Sequence, residues 1–312
     1  MNTRRLFDED PGLLTFSAAV ISCEKEKNMY KAVLDETAFF PEEGGQTCDK
    51  GRLGGQEVVR VTEKDHIIYH YIKEPIIPGS TVNGSIDWEK RFSDMQQHTG
   101  EHIVSGLMHS RFGFDNVGFH LGSVYVTMDF NGTITEEELS EIELEANRAV
   151  VSNLPVCVTW PDDKTLSALA YRSKKELEGP VRIVEIPGID VCACCAPHVR
   201  MTGEIGIIKL VRMESYKGGI RVYMLCGFRA LADYDEKLKA VYSISEALSL
   251  KPEKTADGVK KLKSEQTSLK EQVNILKWEF IMHDINRLSV EKTGKAGTEK
   301  RLPDRSEEET DL

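Results

Sequence analysis

Two short runs of metal-competent side chains stand out, His98-Thr-Gly-Glu-His102 and Cys194-Cys-Ala-Pro-His198. Each holds a pair separated by three residues. On a helix, positions i and i+4 share one face, so both imidazoles of the first pair can reach one ion. The second run is too rich in Cys and Pro for a helix interior and reads as a loop. Three imidazoles and one thiolate form a nitrogen and sulfur set suited to Zn²⁺. His98, His102, Cys194 and His198 are therefore the expected metal ligands. Cys192 and Cys195 compete with Cys194, but only Cys194 has the three-residue spacing to His198. The first run is not the metalloprotease pattern. HExxH sets a glutamate directly after the first histidine, whereas that place holds Thr99 and the glutamate is Glu101, read as a solvent-facing or supporting residue.

A third segment, Thr37-Ala-Phe-Phe-Pro41-Glu-Glu-Gly44-Gly45-Gln46, is an extended stretch entering a tight turn. Glycine lets backbone approach a ligand closely, and Gln46 can both donate and accept. On residue chemistry alone an ordinary turn between strands explains it. His120, in Gly118-Phe-His-Leu-Gly122, reads as a hydrogen-bonded structural histidine. His66, His70, His109 and His283 have no partner pattern.

The elements that must hold these residues follow from periodicity and punctuation. Residues 1–88 read as short strands, with Ile67–Ile72 β-rich and Gly44-Gly45, Gly51, Gly54-Gly55, Pro78-Gly79 and Asn83-Gly84 as turns. That texture predicts a small β-barrel or sandwich. Met95, Ile103, Leu107 and Phe112 give helical spacing to 92–112, the stretch that carries His98 and His102. A strand is expected at 124–130. A helix capped by Thr133 or Thr135 should run to Ser152, with Glu136, Glu137 and Glu138 at its positive end. A second helix is expected over Asp163–Leu177 and a strand over 181–186. A hairpin is expected from 206–212 and 220–226 around Lys217-Gly218-Gly219. Leu231, Tyr234, Leu238, Val241 and Leu248 form one helical seam; after Pro252, Val259, Leu262, Leu269, Val273, Leu276 and Phe280 form another. Two helices joined at a proline bend predict an antiparallel hairpin. The α+β chain thus divides into 1–88 (β-barrel), 89–230 (zinc-binding domain), 231–290 (helical extension) and 291–312 (disordered tail).

The chain has 312 residues, room for about two domains. Apolar content of 40 % and charged content of 29 % suit a folded protein. No run of about 18 apolar residues predicts a membrane span, and the N-terminus lacks a signal-peptide core. Seven cysteines, three of them at 192, 194 and 195, argue against a secreted disulfide framework and for a reducing cytoplasm. A net charge of −11 argues against a generic nucleic-acid binder. Residues 251–301 nevertheless balance to +4, 302–312 to −4 and the first 250 to −11. A basic helical arm on an acidic body is read first as a solvated surface.

The Thr-x-Phe-Phe-Pro-x-x-Gly-Gly-Gln segment, the HxxxH run and the CxxxH loop, in this order, resemble the AlaX-type alanyl-tRNA editing proteins. Those resemble the editing domain of alanyl-tRNA synthetase and, more remotely, that of threonyl-tRNA synthetase. The resemblance covers roughly residues 5–230, and the helices after it look like the linker of long members. It implies a β-barrel followed by an α+β editing domain. It also implies hydrolysis of the ester joining a wrong amino acid, chiefly serine and secondarily glycine, to tRNA(Ala). By the same resemblance His98, His102, Cys194 and His198 hold zinc, Thr37 senses the serine hydroxyl and Gln46 lines the pocket. Two departures stand out. The synthetase loop usually reads Cys-Gly-Gly-Thr-His, whereas Cys195-Ala196-Pro197 fills the gap here. The Gly-rich terminal domain of long members is not visible. The alternatives are a non-catalytic RNA-binding module braced by structural zinc and a metal hydrolase of small esters or amides. The terminal helices allow a homodimer.

Overall fold

The computed structural model describes residues 2–173 and 179–293, with side chains to 287. It is a mixed α+β chain that divides into two compact units at Asp235 and Glu236.

In the N-terminal part, seven antiparallel strands form one sheet. Their order is Gln56–Glu57, Gly51–Leu53, Thr81–Ile86, Thr15–Glu26, Met29–Leu34, Ile67–Ile72 and Arg60–Lys64. The long strand Thr15–Glu26 serves both halves: its first five residues pair with Thr81–Ser85 and, after a bulge at Val20 and Ser22, the rest pairs with Met29–Leu34. A bulge sharpens bend and twist, which folds the sheet over its own core. The expected closed barrel does not form, because no ladder joins the two edge strands. The chain itself crosses between the edges at Val58–Val59. Val58 N–H donates to Gly51 O at 2.9 Å and Val59 N–H to Tyr71 O at 2.8 Å, on opposite halves of the sheet. Alternation in Ile67–Ile72 turns Ile68, His70 and Ile72 inward. Phe7, Phe39 and Phe40 are fully buried among them, so the Phe-Phe-Pro run is core as well as approach to a turn.

A 25-residue helix, Trp88–Phe112, crosses the centre of the first unit. It starts four residues before the expected Phe92, because the Asp87 side chain accepts from Lys90 N–H at 3.2 Å. It stops at Gly113, whose φ of 70° is the left-handed conformation of a helix C-terminus. Its inner face packs on a four-stranded antiparallel sheet ordered Asn116–Leu121, Val126–Phe130, Gly219–Cys226 and Ile208–Tyr216. The expected hairpin turns at Lys217-Gly218, both at positive φ. The helix Glu136–Val151 carries a capping box between Thr135 and Glu138. A three-stranded sheet of Cys157–Thr159, Ile183–Ile186 and Asp190–Ala193 presents the thiol-bearing loop.

The helix expected over 163–177 is shorter. It spans Asp163–Ala168 and turns extended at Leu169. Arg172 then joins a strand edge, donating N–H to Val191 O at 2.8 Å and accepting from Ala193 N–H at 2.9 Å. The end of the expected helix, 174–177, lies outside the described residues.

Helix Gly227–Ala247 leads out of the first unit, and helix Thr255–Thr293 follows the bend at Pro252–Lys254. The expected antiparallel hairpin leaves no buried seam, since Val259, Leu262, Leu269, Val273, Leu276 and Phe280 all stay exposed. The tail expected at 291–312 is helical to Thr293, and its remainder lies outside the described residues. No helix among the described residues is long and apolar enough to cross a membrane.

Candidate metal centre

His98 and His102 lie one turn apart on the buried face of the helix Trp88–Phe112 and point at the loop 194–198. Their metal-competent atoms and those of Cys194 and His198 all fall within 4.8 Å of one another. Cys194 Sγ stands 3.5 Å from His98 Nε2 and 3.3 Å from His198 Nε2. Each ring presents Nε2 because something else holds its Nδ1. His98 Nδ1 donates to Gln46 Oε1 at 2.8 Å, and His102 Nδ1 donates to Asp190 Oδ2 at 3.0 Å. His198 Nδ1 pairs with Thr99 Oγ1 at 3.1 Å. Such partners fix the tautomer and ring plane of a ligating histidine. Asp190 is itself gripped by Arg172 at 2.7 and 2.9 Å, a bidentate pair.

Protonation at Cys194 and His198 favours the same chemistry, and at His102 it opposes it. Burial alone would oppose a Cys194 thiolate. The nearby His98 and His198 and hydrogen bonds from His102 and His198 outweigh it, so its pKa falls well below a thiol's ordinary value. Burial drives His198 down to about 3, so it is neutral and able to donate its lone pair. Burial also opposes charge on His102, yet the Asp190 hydrogen bond and the thiols nearby carry it well above the ordinary value. Cys195 is pushed up by burial and by Cys194, and Cys192 by burial, so both stay thiols. Cys192 belongs instead to a second, overlapping cluster with His102 and Asp190. The four-residue donor set fits a soft divalent cation.

The loop between Cys194 and His198 is clamped. Arg182 donates from one guanidinium nitrogen to Cys194 O at 2.8 Å and Ala196 O at 3.0 Å. Ala196 is fully buried in the N-terminal core. The departure from a Gly-Gly-Thr loop therefore gives a rigid apolar wall rather than a flexible polar one.

A cleft of about 480 Å³ opens onto the centre, lined by Gly44, Gly45, Phe119, Trp160 and Arg182 beside the ligands. The Phe119 and His98 ring centroids are 4.8 Å apart. Gly44 and Gly45 turn at φ 62° and 83°. A Cβ on Gly45 would lie 2.5 Å from Phe119 O, so only glycine lets this turn press against the strand that carries Phe119.

The remaining expected residues fall as follows. Gln46 is buried behind Gly44 and Gly45 and, like Thr37, is not itself among the residues lining the cleft; Oε1 holds His98, and Nε2 has no hydrogen-bond partner among the described residues. Thr37 is fully buried and is not among the residues lining the cleft. Its hydroxyl accepts from Phe39 N–H at 3.1 Å and pairs with His70 Nε2 at 2.8 Å. His120 is exposed, because strand alternation turns Phe119 to the cleft instead. Glu101 is buried rather than solvent-facing. It accepts from Ser105 at 2.7 Å and Asn116 at 2.6 Å, with its other oxygen 4.0 Å from His102 Nε2.

Asp190, Arg172 and Thr99 were not singled out from the sequence. Asp190-x-Cys192 is a period-two pattern that sets both on one strand face, with Cys194 just past the strand end. That pattern is the signal that could have found Asp190.

Known proteins resemble this chain along most of its length. The chain is 34 % identical over 261 residues to "Alanyl-tRNA editing protein AlaX-L" of Pyrococcus horikoshii, covering 80 % of this chain and 64 % of that one. It is 30 % identical over 254 residues to "Alanyl-tRNA editing protein Aarsd1" of Rattus norvegicus, covering 80 % and 62 %. The chain is a homologue of the alanyl-tRNA editing proteins. This editing-protein homologue also matches "Alanine--tRNA ligase" of Pyrococcus furiosus, 32 % identical over 311 residues, 94 % of this chain and 34 % of the ligase. Residues 181–223 match the family described as threonyl and alanyl tRNA synthetase second additional domain. That stretch holds Cys194 and His198. The homologue spans a little under two thirds of the length of its editing-protein relatives.

Proposed function

We propose that this chain is a free-standing deacylase of mischarged tRNA(Ala), acting chiefly on the seryl ester and secondarily on the glycyl ester. Zinc would be held by His98, His102, Cys194 and His198. One observation carries the reading: three Nε2 atoms and a thiolate face one centre at the floor of a cleft, with each Nδ1 tied back. Zinc in such a site supplies polarisation of an ester carbonyl or acidification of a water. The protein's own groups supply the rest. The Phe119 ring and Trp160 give the cleft apolar walls, and the Arg182 clamp keeps the loop from shifting as substrate enters.

Editing must remove serine and spare the smaller alanine. A site that hydrogen-bonds the serine hydroxyl can discriminate by about 10⁴–10⁵, because alanine leaves its polar group unpaired. Gln46 Nε2, buried and without a partner, is the donor proposed for that hydroxyl. The resemblance points to Thr37 for the same task, but its hydroxyl already serves His70 and Phe39. Gln46→Glu keeps an oxygen for His98 and removes the donor. It is expected to blur serine-versus-alanine selection while zinc content holds. Lost selectivity in Thr37→Val, at an unchanged unfolding midpoint, would return the role to Thr37.

Four protein donors complete a tetrahedral shell, the usual form of a structural site. That favours the competing reading of a non-catalytic RNA-binding module braced by zinc. Incubation with Ser-tRNA(Ala), with and without chelator, separates the two: turnover abolished by chelator supports the deacylase, and binding without turnover supports the module. Competition by uncharged tRNA excludes a hydrolase of small esters. The free thiols support a reducing compartment as the setting of the proposed activity.

A further inference from the structure

The helix Thr255–Thr293 is 39 residues long, and its apolar stripe is open. Val259, Leu262, Leu269, Val273, Leu276 and Phe280 are 47–68 % exposed. Set as a heptad with Val259 at a, positions a are Val259, Gln266, Val273 and Phe280, and positions d are Leu262, Leu269, Leu276 and His283. Branched Val at a with Leu at d is the pattern of a parallel two-stranded coil, and one polar residue at a fixes register.

The flanks decide between orientations. Positions e are Lys263, Lys270, Lys277 and Asp284; positions g are Glu265, Gln272, Glu279 and Asn286. Antiparallel strands would set e against e and g against g, lysine on lysine and glutamate on glutamate. Parallel strands set each g against the following e of the partner. That brings Glu265 to Lys270 and Gln272 to Lys277 of the second copy, with Glu279 and Asp284 the single like-charged pair. Within the helix, Lys261 and Glu265 lie 3.8 Å apart and His283 and Asp284 lie 3.7 Å apart.

We propose that two copies of this chain associate through 259–280 as a parallel, in-register coiled coil, with Gln266 facing Gln266 across the seam. The seam runs over roughly 32 Å at 1.5 Å per residue. Ile275, Trp278, Met282 and Ile285 lie at c and f, outside a two-stranded seam. They make a larger bundle the outcome that the test has to exclude.

The full chain in sedimentation equilibrium is expected to have twice its single-chain mass. Leu269→Glu with Leu276→Glu should return it to one copy, with unchanged zinc content reporting an intact first unit. Gln266→Cys should give an oxidised cross-linked dimer that the parent, with its seven native thiols, does not give at the same oxidant level. Glu265→Lys should loosen the dimer at least several-fold, and Lys270→Glu added to it should restore it. A single copy at assay concentration, a tetramer, a dimer indifferent to the glutamates in the seam, or no cross-link at 266 would each overturn the proposal.

Discussion

His70 sits wholly inside the N-terminal sheet, bonded to Thr37 and near Ala32 O, and burial pushes it down to about 4 from an ordinary 6.5. Unfolded chain takes up a proton as pH falls through 6.5, and folded chain does not until about pH 4. The His70 contribution is therefore complete above the unfolded value and is lost across that window, by roughly 3 kcal/mol in all. Urea unfolding of the parent and of His70→Gln at stepped pH should show the extra slope only in the parent; parallel slopes would sink the assignment. Gln46 acts at the same scale. Gln46→Leu frees His98 Nδ1 and is expected to weaken zinc binding about 10–100-fold in a chelator competition, the usual cost of losing such a partner. The clustering of His98, His102, Cys194 and His198 was legible from the sequence because i and i+4 spacing leaves little freedom. His70 was not, because only strand alternation and burial tell a core histidine from a surface one.

At the scale of elements, the centre depends on how closely the helix Trp88–Phe112 lies on the strand edge at Ile189–Asp190. Gly106 makes that approach possible, since a Cβ there would meet Ile189 O at 2.4 Å. Gly106→Ala should push Asp190 away from His102, cost about 1–3 kcal/mol and lower zinc affinity. Equilibrium unfolding and zinc titration read the two effects, and retention of both would show that the helix does not set the Asp190 contact. The Thr135 cap and the Lys217-Gly218 turn were readable locally, because both are made within a few residues. That the N-terminal sheet stays open rather than closing into a barrel was not, since it depends on where Val58–Val59 crosses between distant strands. The short helix Asp163–Ala168 was overdrawn because its apolar spacing continued past the point where Arg172 is recruited by Asp190.

For the whole molecule, a fully buried arginine is one tie between the two halves of the first unit. Arg91, on the helix that carries His98 and His102, has no solvent exposure and forms a bidentate pair with Asp49. It also donates to Pro11 O at 2.9 Å and Ala38 O at 2.6 Å. Removing one partner of a buried pair costs about 3–5 kcal/mol, so Asp49→Ala should lower the thermal midpoint sharply. A midpoint within a degree or two of the parent would contradict that. All three residues that receive the guanidinium lie before residue 50, while the histidines lie beyond 97. The metal half is consequently a poor cassette: transplanted alone into another scaffold, it would arrive with a stranded cation in its interior.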